Sequence, residues 1–374
     1  MSQNMLSLSP SHFFQFDTQP LWIWYDHYGD IAKKEEVSDF ALKIMEDGVL
    51  HEEKIISAMN IIEVKSRKPK EALKETLELM KKGEPLIYQG WIEAKIEGVM
   101  LCGRPDLLER REGESNFGKW HYVPVDIKSS SKIKTPQRNQ MILYGWILKV
   151  LQGYLPETFE IINRNCERLS EPISRKHFDK AQEVKHKILS IMNGSKPELT
   201  ISSKAKNSPW FKESVREAES LNDISLIYRL DPRALGKLRA LGINTLDDIV
   251  KTDISTLPKI PYAPPSTLQK AQLQAKCLID NSPNWIGSVG ELPQEQLKLY
   301  FDIEGDPWLG VEYLFGFWVV GDPKGKLKRF GEVRSSESVD GKYFLYFLAK
   351  AQEDESKLWA NFLSWLDLLP QDLV

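Results

Sequence analysis

Cysteine is nearly absent from this chain. Three occur in 374 residues, Cys102, Cys166 and Cys277, far apart and with no Cys-x-x-Cys pair. That excludes a thiolate zinc site and a disulfide framework, and it fits a reducing compartment. A dominant charge is also lacking: 50 Lys and Arg face 53 Asp and Glu, a formal net charge of -3. No whole-molecule positive field draws this protein to nucleic acid, so any such binding must use a local patch. Long apolar runs are missing too. Tyr313 to Val320 is far too short to span a bilayer. The start, MSQNMLSLSPSHFFQF, has neither the basic region nor the apolar core of a signal peptide. These absences predict a soluble, cytoplasmic protein with no membrane partner.

What is present is the composition of an ordinary globular protein, 41 % hydrophobic and 28 % charged, long enough for two or three domains. Residues 35–60 read as helical, because Phe40, Ile44, Met45, Ile55, Ile56 and Met59 recur at near-helical spacing. Residues 69–82 form a second amphipathic helix stopped by Gly83. The stretch from Leu86 to Leu101 then alternates apolar and polar residues, as half-buried strands do. A further strand runs through Arg104 to Glu109, and a polar loop, Arg111 to Lys119, precedes a short strand from His121 to Lys128. Helical period returns from Thr135 to Leu151. Helices, then strands, then a helix predict an α/β unit on a small central sheet.

Residues 166–220 are polar, charged and helix-prone, and read as a helical connector. Residues 221–285 read as a small helical module with a Gly242-Ile243 turn and Thr245 as an N-cap. Asn281 to Gln296 is rich in turn residues and reads as a linker. The unit at 297–374 opens with the strand Leu299-Tyr-Phe-Asp-Ile-Glu-Gly-Asp-Pro, pairs it with Tyr313 to Val320, and carries a helix from Asp354 to Leu369.

The chemistry concentrates in Asp106, Asp126, Lys128, Gln140 and Tyr144, with His51 upstream. Asp126 and Lys128 are two apart on a strand, so their side chains leave on one face. Two carboxylates and a lysine at adjacent strand ends suit phosphodiester hydrolysis. The carboxylates hold a hard divalent cation, which activates a water and neutralises phosphate charge, while the lysine orients the water or steadies that charge. Gln140 and Tyr144 are four apart on one helical face. The basic loop Ser129 to Arg138 suits phosphate contacts. Each element alone is more often solvated charge, ordinary helix surface or core. Their joint order and spacing is what points to a site.

Gly48-Val-Leu-His51, Gly103-Arg-Pro-Asp106, Val125-Asp126-Ile-Lys128-Ser and Gln140-x-x-x-Tyr144 together resemble the RecB-like branch of the PD-(D/E)XK nucleases, over roughly residues 1–165. The resemblance implies a restriction-endonuclease-like core, a small mixed sheet flanked by helices. It also implies His51, Asp106 and Asp126 as ligands of Mg²⁺ or Mn²⁺, Lys128 as the catalytic lysine, and Gln140 and Tyr144 flanking the site. The whole chain resembles a bacterial type that joins such a nuclease domain to a helix-hairpin-helix-like segment and an RNase-H-like exonuclease domain of the DEDD type. Asp302 and Glu304 would be the first acidic motif of that domain, a second site. As metal partners they agree with the alternation that places both on one strand face.

Two departures from that type stand out. Many RecB-like nucleases hold an iron–sulfur cluster through four cysteines. The aligned positions here are Gln19, Ala205, Ser208 and Ser214, so no cluster is expected and packing must hold the fold there. The RNase-H-like part also lacks the later acidic residues such a site needs, so it reads as truncated. The aromatics Trp22, Trp24, Tyr25, Trp91 and Trp146 offer base-stacking surfaces, though large aromatics are mostly core. The expected function is a metal-dependent nuclease, exonuclease-like, acting on DNA ahead of RNA in repair or processing. The competing readings are a catalytically decayed nucleic-acid-binding protein and an RNA exonuclease working through Asp302 and Glu304.

Overall fold

The protein is described from a computed structural model at residues 6–37, 39–283, 287, 290–291, 296–306, 310–322, 324–329, 334–337 and 339–369. It divides into two compact units, residues 1–284 and 285–374.

The first unit opens with β1 (Ser7–Leu8), α1 (Pro10–Thr18), α2 (Pro20–Tyr28), α3 (Asp39–Ile56), β2 (Ile62–Glu63) and α4 (Pro69–Lys82). Strands β3 (Leu86–Tyr88), β4 (Ile92–Ile96), β5 (Val99–Gly103), β6 (Leu107–Ser115) and β7 (Gly118–Ile127) follow. Then come α5 (Thr135–Gln152), β8 (Thr158–Ile162), β9 (Arg168–Pro172) and α6 (Arg175–Met192). The strands form a six-stranded sheet ordered β2-β3-β6-β7-β8-β9 and a three-stranded sheet ordered β1-β5-β4. In these two sheets β1–β5, β2–β3 and β7–β8 run parallel and the remaining pairs antiparallel. Parallel neighbours need a crossover, and α5 supplies the one between β7 and β8. The architecture is mixed α/β.

Local chemistry explains the helices read from sequence. Helix α4 starts on Pro69, buries Ala72, Thr76 and Met80 at four-residue steps, and stops at Gly83, whose φ of 74° is left-handed. Helix α5 is buried without interruption from Met141 to Leu148, as befits a helix enclosed by the core. The polar stretch 111–119 is not a loop. It is the β6–β7 hairpin, with Arg111 opposite His121 and Ser115 opposite Gly118. Its charge masked the strand signal: Arg111 is spent on ion pairs with Glu109 of its own strand and Glu160 of β8, and Arg168 of β9 pairs with the same two glutamates.

Residues 166–220 are folded into the first unit. Helix α6 buries Ala181, Val184, Ile188 and Ile191 in the main core, while its opposite face accounts for the polar composition. Helix α7 (Phe211–Ser220) follows. The helical module carries α8 (Pro232–Arg239), α9 (Leu246–Lys251) and α10 (Pro265–Asp280) around its own apolar cluster of Leu235, Leu238, Ile249 and Leu268. Thr245 caps α9 as expected, accepting from the Asp248 amide in a reciprocal capping box. Most of the linker segment after Asn281 lies outside the described residues.

The second unit contains β10 (Lys298–Asp306), β11 (Val311–Val320), β12 (Arg334–Ser335), β13 (Lys342–Leu348) and α11 (Glu355–Leu368). Its antiparallel sheet is ordered β10-β11-β13-β12. Leu358, Phe362 and Trp365 of α11 pack on Phe315, Phe317 and Phe347.

Candidate active site

Asp106 precedes β6, and Asp126 lies at the carboxyl end of β7, where the chain leaves for the α5 crossover. The β6–β7 register pairs Leu107 with Val125, so the two aspartates reach the same end of the sheet. Lys128 stays in line because its amide donates to the Ile162 carbonyl at 2.9 Å. Its ammonium sits 2.9 Å from Asp126 Oδ2 and 3.6 Å from Asp106 Oδ2.

Asp126 is fully buried, and a buried carboxylate needs partners. Its Oδ1 accepts the Asp106 amide at 3.2 Å, and its Oδ2 accepts the Gln140 amide at 2.6 Å. In return Asp106 Oδ2 accepts the Ile127 amide at 2.7 Å. Gln140 Nε2 also lies 3.1 Å from the Tyr144 hydroxyl. The four-residue spacing on α5 thus sets the Gln140 amide between Asp126 and the Tyr144 hydroxyl.

Burial, reinforced by the Asp126 charge, pushes the Asp106 carboxyl up to about 7, although Lys128 opposes this. Burial alone would lower the Lys128 ammonium, but the two aspartates outweigh it and hold Lys128 firmly protonated. Tyr144 is kept neutral by burial and by the same two carboxylates. Gly103 is there for space: a Cβ on it would fall 2.5 Å from Tyr144 Cε1.

The other expected residues are placed less simply. His51 on α3 turns its Nε2 to the Asn163 carbonyl at 3.2 Å. A carbonyl only accepts, so that nitrogen is the donor, and the contact is with backbone rather than with either aspartate. The next residue, Glu52, does reach the site's neighbourhood. Its Oε1 accepts from the Tyr88 hydroxyl and from Gln89 Nε2, each at 2.9 Å. Gln89 in turn donates its backbone amide to the Asp106 carbonyl at 2.9 Å, from a left-handed φ of 54°. The only sequence signal for Glu52 was its place next to His51 on the helix.

The donor set fits a hard divalent cation. Mg²⁺ is commonly held by one or two carboxylates, with waters and substrate phosphate completing its shell. Asp106 and Asp126 offer oxygen donors only, with a counter-cation beside them. Among the described residues no group of three His, Cys, Asp or Glu side chains that could hold an ion is found.

Gln19, Ala205, Ser208 and Ser214, the positions aligned with cluster cysteines, are all buried. Gln19 Nε2 donates to Ser214 Oγ at 2.8 Å across 195 positions of sequence, and Ser214 Oγ donates to the Trp210 carbonyl at 3.0 Å. The Trp210 ring stacks on Tyr25 at 5.2 Å. Packing and hydrogen bonds hold this region. Tyr25 and Trp146 are buried, and Trp22, Trp24 and Trp91 are partly so.

In the second unit Phe301 stacks on Phe362 of α11, so alternation sends Asp302 and Glu304 to the opposite sheet face. They lie exposed, opposite Gly316 and Leu314. In the helical module the amides of Leu241, Gly242 and Ile243 are bonded to carbonyls of Leu238 and Arg239. Those of Asn244 and Thr245 go to Asp248. The turn near Gly242 therefore has its donors engaged within the protein.

Compared with known proteins, the chain matches no family model and no curated protein. Among the described residues no helix is long and apolar enough to cross a membrane.

Proposed function

We propose that the chain is a metal-dependent nuclease of the RecB-like PD-(D/E)XK type, with a restriction-endonuclease-like core, hydrolysing DNA phosphodiester bonds in repair or processing. The observation that carries this reading is the meeting of Asp106, Asp126 and Lys128 at adjacent ends of β6 and β7, with Gln140 and Tyr144 behind them.

Asp106 and Asp126 hold the ion. When bound, Mg²⁺ or Mn²⁺ supplies an acidified water and a counter-charge for the scissile phosphate. Lys128, 2.9 Å from Asp126 Oδ2 and 3.6 Å from Asp106 Oδ2, acts as the catalytic base or as a charge stabiliser for the scissile phosphate. Gln140 keeps Asp126 oriented through its 2.6 Å bond. Exonuclease action and preference for DNA are part of the proposal and rest on the resemblance.

The test is cleavage of end-labelled single- and double-stranded DNA with Mg²⁺ or Mn²⁺, comparing wild type with Asp126→Ala and Lys128→Ala. Loss of cleavage in both, with unfolding midpoints that show folded protein, supports the proposal. Equal cleavage by wild type and both variants refutes it, and wild-type DNA binding without cleavage under either metal favours the decayed, binding-only reading.

A further inference from the structure

The resemblance assigns the helix-borne ligand of this site to His51, yet the geometry turns that ring towards a backbone carbonyl, 3.2 Å from Asn163 O. Glu52 points elsewhere. It is fixed by Tyr88 and Gln89 through one oxygen, Oε1, and among the described residues Oε2 takes no hydrogen bond. Tyr88 is paired with Leu107, the residue after Asp106, and the Gln89 amide is bonded to Asp106 itself. Glu52 is therefore clamped to the strand end that presents Asp106. Its charge also reaches both Asp106 and Lys128.

We propose that Glu52, rather than His51, is the α3 residue that serves the divalent ion, as a positioning residue that acts through the water around the ion. This rests on the nuclease reading of the same site. A carboxylate tied through Gln89 to Asp106 is suited to order water beside the ion, and its two donors set its direction. Outer-shell groups of this kind are worth roughly 10- to 100-fold in metal affinity or activity. Gln89 accepts a left-handed backbone to make its bond, and residues other than glycine adopt that conformation only where the surroundings impose it.

The experiment uses the full chain and Mn²⁺ alone, with free Mn²⁺ read by its paramagnetic resonance signal. Wild type is compared with Glu52→Gln, Glu52→Asp, His51→Ala and Asp106→Asn, and unfolding midpoints are recorded without metal. Glu52→Gln preserves an acceptor for Tyr88 and Gln89, so its fold should hold. Glu52→Asp retains the charge but withdraws it by one methylene. The expected result is an affinity loss of about 10-fold or more for both Glu52 variants, with unchanged midpoints, and a loss below about 3-fold for His51→Ala. Wild-type affinity in the Glu52 variants, or a larger loss in His51→Ala, overturns the proposal. Undiminished binding by Asp106→Asn sinks the underlying site reading instead, so the two failures are distinct.

Discussion

Gln140 donates its side-chain amide to Asp126 Oδ2 at 2.6 Å, the shortest of the hydrogen bonds given to that buried carboxylate. Gln140→Ala removes the donor from a charge that water does not reach freely. The expected cost is about 1.5–3 kcal/mol of stability, since hydrogen bonds to charged groups are worth that much. Gln140→Glu should be worse, because it sets a third carboxylate against the pair. Urea midpoints of the two variants check the order, and a Gln140→Glu protein as stable as wild type would contradict it.

Gly103 and Tyr144 are coupled by space. A Cβ at position 103 meets Tyr144 Cε1 at 2.5 Å, so Gly103→Ala should destabilise by about 1–3 kcal/mol through overpacking. Truncating the ring removes the clash. The double variant Gly103→Ala/Tyr144→Ala should therefore be less destabilised than the sum of the single ones. Strict additivity by chemical denaturation would show that the backbone simply moves aside.

The aspartate pair predicts a pH dependence of the metal-free protein. The Asp106 carboxyl is raised by burial and by Asp126 to about 7, above its unfolded value near 4. The folded state then holds more protons than the unfolded one between those values, so stability is greatest at the acid end and falls as pH rises through 7. Asp106→Asn removes the titrating group and should flatten this slope. Urea midpoints in chelator at pH 5.5, 7 and 8.5 test it, and identical slopes in the two proteins would refute the assignment.

Ser214 and Gln19 make a buried hydrogen bond at 2.8 Å. Ser214→Ala strands the Gln19 amide, whose Oε1 already has no partner, at an expected cost of about 1–3 kcal/mol. Gln19→Met/Ser214→Ala removes both polar groups and should recover most of that loss. Thermal unfolding of the single and double variants decides, and a double variant worse than Ser214→Ala alone would point to a role beyond the bond.

Asp322 in the second unit accepts from the Lys326 and Leu327 amides and the Tyr343 hydroxyl. Burial works against its ionisation, but these three donors win and hold its carboxyl below the usual range. Stability from a depressed carboxylate is present above the unfolded value near 4 and is lost as pH falls through the folded one. Asp322→Asn should lower the neutral-pH unfolding midpoint and reduce the additional loss seen below pH 4. Near-ultraviolet circular dichroism against pH reads both.

Features decided by near neighbours in the chain were legible without coordinates. Helix α4 with its Gly83 stop, helix α5 from Thr135, the Thr245 cap and the β10–β11 pair all follow from periodicity, turn chemistry or capping. So did the partnership of Asp126 with Lys128 and of Gln140 with Tyr144, because strand and helix periods place them on common faces. The β6–β7 hairpin was hidden by its charge, and the packing of α6 into the main core, though not its helicity, by the polarity of its outer face. In both cases composition described the solvent side, whereas packing is set by the other.

The linear pattern by itself determined which residues of one element share a face, and hence the ingredients of the site. Only the tertiary structure decided which partners neighbouring side chains of α3 meet. His51 and Glu52 are neighbours in sequence but diverge by about 100° around the helix, and their long-range partners lie at the ends of different strands, Asn163 just after β8 for one and Tyr88 with Gln89 at the end of β3 for the other. The joining of Gln19 to Ser214 is of the same kind. Local propensity carries no information about contacts that far apart in the chain, and the packing of a common core is what brings them together.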